Sequence, residues 1–439
     1  MTSRYLKSRR EFLRDSAVLA SGMVWLPSVM RTEPLEGRLR LASIGVGGMG
    51  GSDLGQFLKH PNVDVVALCD IDSSRLAGAA RRAPKAKTFV DWREMLDKMG
   101  NEIDAVNVAT PDHTHAPASM SAIQLGKHVY CQKPLTHDVH EARHLRLAAA
   151  EHKVVTQMGI QIHSTWQYRT AVKIIRDGTI GKIKEVHSWS GKRWGYVGPT
   201  PKPAKVPANV DWDQWIGTAP MRPYAKGHYH PANWRKWVDF GCGTMGDMGI
   251  HILDPVASAI ELGLPTRIVS SSPKAPPKDS HGMSNKVEYT FDGTNRVVPG
   301  FKLTWYDGGM SPDTSDWPIK KLPGQGSMFI GEKGCMLLPH IGAPRLLPES
   351  DFKDHEVAKQ PGGNHYHLWV DACLGEGKTT AGFDYAGPLT EVLLLGVVAN
   401  RFPTQRLDFD AEKLAITNFK PADRLIHRPY RKGWKIEGL

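Results

Sequence analysis

A short apolar run, Arg38 to Ile44, passes directly into Gly45-Val46-Gly47-Gly48-Met49-Gly50, and a helical pattern, Gly51 to Lys59, follows. This G-x-G-x-x-G between a strand and a helix restricts the fold more than any other stretch of the chain. Gly45 permits a tight turn, Gly47 lets backbone approach a pyrophosphate, and Gly50 lets the helix pack on the strand. The helix N-terminus, with Gly48 and Met49 at its start, then faces the anion. A second strand, Val63 to Cys69, ends in Asp70, twenty residues after Gly50. A carboxylate there suits adenosine ribose hydroxyls and repels a 2′-phosphate. A glycine turn used only for packing would leave Asp70 unexplained. The expected cofactor is NAD; Arg75 nearby is the feature that would suit NADP.

Strand and helix continue to alternate. Strands are expected at Lys85–Phe89, Ala105–Ala109, Lys127–Cys131 and Val154–Met158, with helices at 91–98, 118–125 and 139–151. Such alternation implies a doubly wound parallel sheet. Ligands in these sheets lie at the carboxyl ends of strands. Asp70, Thr110-Pro111-Asp112, His115, Gln132-Lys133, Gln161 and His163 all fall at such ends. After residue 160 the alternation stops. Strand-like runs at 183–189, 267–272, 286–291, 301–305, 327–330 and 335–338 follow a helix at 166–177, and late helices are expected at 365–374 and 389–401. That pattern reads as an α+β domain. The chain of 439 residues has room for both, and its 41% hydrophobic and 23% charged residues exclude a disordered or fibrous protein.

The first 35 residues read as an address. Ser8-Arg9-Arg10-Glu11-Phe12-Leu13-Arg14 precedes fifteen uncharged residues, Ser16 to Met30. A basic region before a short apolar stretch is a signal peptide pattern, and paired arginines followed by Phe-Leu resemble a twin-arginine export signal. The translocase of that pathway is therefore an expected partner, and the periplasm or another exported location is expected, with a membrane tether if the segment is retained. Of the net charge of +11, these first fifteen residues carry +3. The remainder is spread out, without the basic stripe interleaved with aromatics that nucleic acid requires. Five cysteines without CxxC spacing fit small buried hydrophobes rather than disulfides or a metal site.

Several spaced motifs together resemble the Gfo/Idh/MocA oxidoreductases. They are the glycine fingerprint, Cys69-Asp70-Ile71-Asp72, Thr110-Pro111-Asp112-x-x-His115, Lys133-Pro134, Gly178-x-Ile180-Gly181 and Gly243-x-x-x-Asp247-x-Gly249-x-His251. The resemblance covers nearly everything after the signal. It implies a Rossmann domain over residues 36–160 and a C-terminal α+β domain over 161–439, built on an open, mostly antiparallel sheet that commonly forms a dimer or tetramer contact. It also implies a cis Lys133–Pro134 peptide. The chain departs from the family at Gln132, where Glu is usual, and in a long insertion between about Trp194 and Val238.

The family's catalytic motif maps onto Lys133, Asp247 and His251. Oxidising a secondary alcohol needs removal of the hydroxyl proton as hydride leaves for the nicotinamide. His251 suits the base, Lys133 can stabilise alkoxide charge, and Asp247 can orient either. In a helix Asp247, His251 and Asp254 share a face, and Pro255 should bend that helix beside His251. His115 is expected to border the nicotinamide. Three His-x-His pairs (113/115, 228/230, 365/367) lack a recognisable third ligand, so no metal is expected. Aromatics crowd the insertion, and flat rings with polar tips suit sugars; Tyr196, His228, Tyr229, Trp234, Arg235 and His163 are the expected substrate contacts. Three functions remain open: an exported oxidoreductase that keeps NAD(H) bound and acts on a sugar or glycoside, a redox-neutral NAD-assisted glycoside hydrolase or lyase working through a transient keto-sugar, and a non-enzymatic nucleotide-bound sugar sensor.

Overall fold

A computed structural model describes residues 37–319 and 321–439; the arginine pair and the rest of the expected signal lie outside the described residues. Six strands form the first sheet: β1 (Leu39–Ile44), β2 (Val63–Cys69), β3 (Lys87–Phe89), β4 (Ala105–Val108), β5 (His128–Gln132) and β6 (Thr156–Gly159). Their order is β3-β2-β1-β4-β5-β6 and every pairing is parallel. β4 and β5 are buried along their whole length, as strands covered on both faces must be. The connecting helices are α1 (Met49–Phe57), α2 (Ser73–Ala80), α3 (Trp92–Met99), α4 (His115–Gln124) and α5 (Val139–Glu151). Asp72, Asp91 and Asp138 start α2, α3 and α5 by accepting from free first-turn N–H groups, and Glu141 returns the bond on α5. Strand order reverses between β1 and β4, so the loops after these two strands border the crevice where such sheets bind ligands.

The second domain opens with α6 (Trp166–Arg176) and β7 (Ile183–Ser190); the short helix α7 (Trp212–Ile216) lies within the insertion. A π-turn at Met245–Gly249 leads into α8 (Ile250–Ile260). Then come β8 (Arg267–Ser270), β9 (Asn285–Thr290), β10 (Val297–Asp307), β11 (Gln325–Gly331), β12 (Cys335–Pro339), β13 (Arg345–Leu347), α9 (His365–Cys373), α10 (Phe383–Ala399), β14 (Arg406–Asp410), β15 (Ala415–Ile416) and α11 (Lys420–Asp423). Nine strands form one sheet in the order β13-β12-β11-β7-β10-β9-β8-β14-β15. Among the described residues β7–β10 is its one parallel pair. β9 alternates strictly: Val287 and Tyr289 are buried while Lys286 and Glu288 are not, the pattern of a sheet covered on one face.

The two domains share a core. One buried apolar cluster runs from Val106, Val129 and Met158 of the first sheet to Leu393 of α10 and Trp305 and Phe329 of the second. α9 packs Tyr366 and Trp369 against Phe57 and Tyr130, tying the C-terminal half to α1. The terminal segment also returns: Arg428 reaches Glu141 at 3.0 Å and the Thr218 hydroxyl at 3.1 Å, joining α5 to the insertion. The insertion holds its own aromatic cluster, Trp215, Tyr229, Trp237 and Phe240 among others, and docks on the end of β2. There the Asp211 N–H donates to the Ile71 carbonyl, the Ser73 N–H donates to Asn209, and the Asn209 side chain donates to Asp72 at 2.7 Å. All five cysteines are free, and four are buried.

Candidate active site

The glycine loop makes the first half of the site. Gly45 sits at φ +79°, and a Cβ there would lie 2.7 Å from the Ala109 carbonyl oxygen; only glycine fits both demands. A side chain at Gly50 would overlap the Gly45 carbonyl, so the close start of α1 depends on that glycine as well. α1 has no side-chain cap and no acidic residue in its first turn, which leaves an uncancelled positive helix end beside Gly47, Gly48 and Met49. The Asp70 carboxylate accepts from the Val46 N–H at 2.8 Å and the Asp72 N–H at 2.9 Å. It therefore fixes the loop as well as facing the cavity, and its burial raises its pKa. Arg75 lies over Gly47. The cavity along these residues is about 580 Å³ and continues past Thr110, Pro111, Asp112, Gln132 and Gln161 to the second domain. A glycine cradle, a bare helix end and a carboxylate at the next strand end fit the pyrophosphate and ribose of a dinucleotide.

Gln132, the departure noted in the sequence, has a partner that explains it. Its amide donates to both oxygens of Asp53 on α1, at 2.9 and 3.1 Å, and the Tyr366 hydroxyl donates to the same carboxyl at 2.9 Å. Burial pushes the Asp53 carboxyl up to about 7 against these bonds. A glutamate at 132 would face that carboxyl directly.

The second half comes from the turn after β5 and the π-turn before α8. Lys133 precedes Pro134 through a cis peptide. Its Nζ donates to the Asp247 carboxylate at 2.9 Å and to the Asp247 carbonyl at 2.8 Å. Trp194 Nε1 donates to the other carboxylate oxygen at 2.6 Å, Arg235 Nε donates at 3.2 Å, and Lys192 Nζ lies 3.6 Å away. Burial alone would raise the Asp247 pKa, but Lys133, Arg235 and Lys192 hold it well below the carboxylate range, so it is ionised. His251 lines the same cavity. Burial, then Lys133 and His340, hold its pKa well below the ordinary value, and no described group bonds its Nδ1. It is a neutral imidazole at neutral pH. A lysine from the first domain and an imidazole from the second thus meet over one cavity that begins at a dinucleotide loop.

Other expected contacts stand elsewhere. His115 is buried behind the Thr110 loop, its two ring nitrogens 2.8 Å from the carbonyls of Pro134 and Thr110; it braces the loop and does not line the cavity. His163 bonds Asp254 at 2.8 Å, and both line a separate hollow beside α6. Asp254 therefore does not share the working face of Asp247 and His251: the His163 ring and the Tyr385 hydroxyl hold it behind the cavity. A π-turn stands immediately before His251, and the helix that follows carries Pro255 within it. Tyr196, His228 and Tyr229 pack among the insertion's aromatics and do not line the cavity, whereas Trp234 and Arg235 do. The residues of the histidine pairs do not gather: among the described residues no group of three His, Cys, Asp or Glu could hold a metal ion. Lys192, His340 and Gln325 also line the cavity, and Trp194 bonds Asp247 at its edge. They sit on loops and strand ends far apart in the chain, where no local pattern marks them.

Two family models match the chain. One, oxidoreductase family with an NAD-binding Rossmann fold, covers residues 39–160, and the other, the family's C-terminal alpha/beta domain, covers 165–303. The levoglucosan dehydrogenase of Pseudarthrobacter phenanthrenivorans is 28% identical over 179 residues, 40% of this chain and 38% of that protein. A glycosyl hydrolase family 109 protein of Stenotrophomonas maltophilia is 34% identical over 142 residues, 29% of this chain and 30% of that protein. The chain thus matches less than half the length of either relative. The crystal structure of the WlbA dehydrogenase from Bordetella pertussis, in complex with NADH and UDP-GlcNAcA, has the same fold at a TM-score of 0.61 and 15% identity, covering 85% of this chain and 99% of that one.

Proposed function

The chain belongs to the Gfo/Idh/MocA oxidoreductases, and from that premise we propose that it is an exported enzyme that keeps NAD(H) bound and oxidises or reduces a hydroxyl group of a sugar or glycoside. The observation that carries this reading is the meeting of Lys133, Asp247 and His251 on the cavity that starts at Gly45–Gly50. Gly47, Gly48 and Met49 would hold the pyrophosphate, Asp70 the adenosine ribose, and Thr110, Gln132 and Gln161 the nicotinamide half. NAD supplies the acceptor for the carbinol hydrogen and its electron pair. His251, neutral in its buried position, takes the hydroxyl proton. Lys133 donates to the same oxygen and stabilises its developing negative charge. Asp247, ionised, holds the Lys133 Nζ in place. The relatives named for dehydrogenation of a sugar support the substrate class.

Absorbance near 340 nm tests the reading. Purified protein carrying NAD should show a lasting rise with a sugar substrate and lose it on addition of the corresponding ketone. The similarity to a glycosyl hydrolase family 109 protein supports a second reading, redox-neutral cleavage, in which sugar is released with no lasting rise. Bound NAD with no response to any sugar would favour a sensor and remove both. Export rests on the Arg9-Arg10 segment; a double Arg9→Lys, Arg10→Lys variant retained in the cytoplasm supports it, and unchanged export removes it. The open sheet of the second domain supports a homo-oligomer, which light scattering of the purified protein checks.

A further inference from the structure

The cavity wall opposite the glycine loop is unbalanced in charge. Among the described residues there, Asp247 is the carboxylate held ionised; Asp112, below it, is buried, accepts from the Cys242 N–H at 3.1 Å, and is pushed up to about 7 by burial against the pull of Arg235 and Lys133. Against Asp247 stand three cations, Lys133, Arg235 and Lys192, all within 3.6 Å of its oxygens. Gln325 adds a hydrogen-bond donor there. Gln325 accepts from the Ser190 hydroxyl through its carbonyl, which leaves its NH₂ group for the cavity it lines. A partly buried excess of positive charge focuses field into a cleft and selects an anion to fill it.

Arg235 and Lys192 are the cations left for that anion. Lys133 is committed to Asp247 by two bonds and to the reacting oxygen. Arg235 uses Nε on Asp247 and Nη1 on the Ala232 carbonyl, and its guanidinium lies 4.2 Å over the Trp234 ring. No described group accepts from its Nη2. Lys192 flanks the other Asp247 oxygen and is half exposed, free to swing toward a ligand. The open Nη2 of Arg235 and the Lys192 ammonium can each donate to one oxygen of a carboxylate set between them. Building on the oxidoreductase reading above, we propose that the substrate is an acidic sugar, one whose ring carries a carboxylate, and that Arg235 with Lys192 forms its anion-recognition pair.

The experiment uses NAD-loaded protein with D-glucuronate, D-galacturonate and D-mannuronate, each against its neutral parent sugar and that sugar's 6-phosphate. It follows 340 nm absorbance, and binding by calorimetry at low and high salt. At least one uronate should exceed its neutral parent by roughly tenfold or more in kcat/KM and in affinity, with the margin shrinking as salt screens it. Arg235→Met should bring the uronate-to-neutral ratio toward one, and Lys192→Met should lower it in part, with melting temperature and NAD content as controls for folding. Parity between acid and neutral sugars overturns the inference, as does failure to bind any uronate. Preference for the 6-phosphates overturns the carboxylate, and an unchanged ratio in both variants overturns the two residues. Oxidation of neutral sugars alone removes this inference while leaving the oxidoreductase reading intact; loss of every sugar response removes that reading itself.

Discussion

At the scale of single residues, the proposed reacting centre depends on the partners of one carboxylate. Asp247 aims Lys133, and removing the lysine leaves Arg235, Lys192 and Trp194 to hold Asp247. Lys133→Ala should therefore fold and melt near the parent temperature while turnover falls by about 10² to 10⁴; parent-like turnover in a stopped-flow assay would exclude the lysine. His251 gives a pH signature. Only the neutral imidazole accepts a proton, and burial with Lys133 and His340 holds its pKa below 6.5. The acid limb of kcat/KM should lie below pH 6.5, with a plateau across pH 6.5 to 7.5; a half-maximal rate at or above 6.5 would contradict a base so placed. The convergence of these three residues on one cavity was legible in sequence because each sits in a spaced motif. His115 sits in one too, yet its ring serves the backbone of its own loop. A motif fixes where a residue stands in the fold and leaves open which neighbour takes its hydrogen bonds. Lys192 and His340 carry no motif, and only the packing of the second sheet brings Lys192 to Asp247 and His340 to His251.

Among elements, the insertion is the one whose role the sequence least revealed. Its crowd of aromatics reads as a sugar platform, but most of those rings close on one another as a small core, Trp212 on Trp215 at 4.6 Å and Trp237 on Tyr229 at 5.2 Å. The polar ends of the element do the contacting. Asn209 donates to Asp72 at 2.7 Å, and His230 lies 3.5 Å from the same carboxylate, so the insertion is strapped across the adenosine end of the crevice. The strap is expected to slow loss of NAD. Asn209→Ala with His230→Ala removes two contacts of about 1 kcal/mol each and should speed NAD release by up to roughly thirtyfold, read as cofactor retained after dialysis or as a fluorescence off-rate. Equal retention would mean the insertion does not hold the coenzyme. The other elements were mostly legible, since strand and helix periods alternate cleanly through the first domain and Asp91 and Asp138 mark helix starts. α10 starts earlier than the 389–401 expected from the sequence. In the structure the helix begins at Phe383 and carries Pro388, its buried face of Leu389, Val392 and Leu393 outweighing the one hydrogen bond proline forfeits.

For the whole molecule, the shared core ties stability to protonation in a way no single element does. Burial lowers the pKa of eleven histidines, among them His113 and His365 to about 3 and His281 to about 4. These groups must be neutral in the folded chain, while the unfolded chain takes up protons below about 6.5. Their contribution is fully present above pH 6.5 and is lost as pH falls toward the folded values, by at most about 1.4 kcal/mol per pH unit for each group. Burial also raises six aspartates, of which Asp53, Asp112 and Asp307 reach about 7. Their sign is opposite. The folded chain keeps a proton that the unfolded chain releases above about pH 4, so their contribution falls as pH rises to 7 and then stays level. Between pH 4 and 6.5 the two sets oppose, and the histidines outnumber the aspartates. Above 6.5 only the aspartates still act. Melting temperature should therefore peak near pH 6.5, fall steeply toward pH 5, and decline only slightly between pH 6.5 and 8. A melting temperature that keeps rising from pH 8 down to pH 5 would show that the buried histidines do not stay neutral and that the two-domain core is less closed to water than its burial implies.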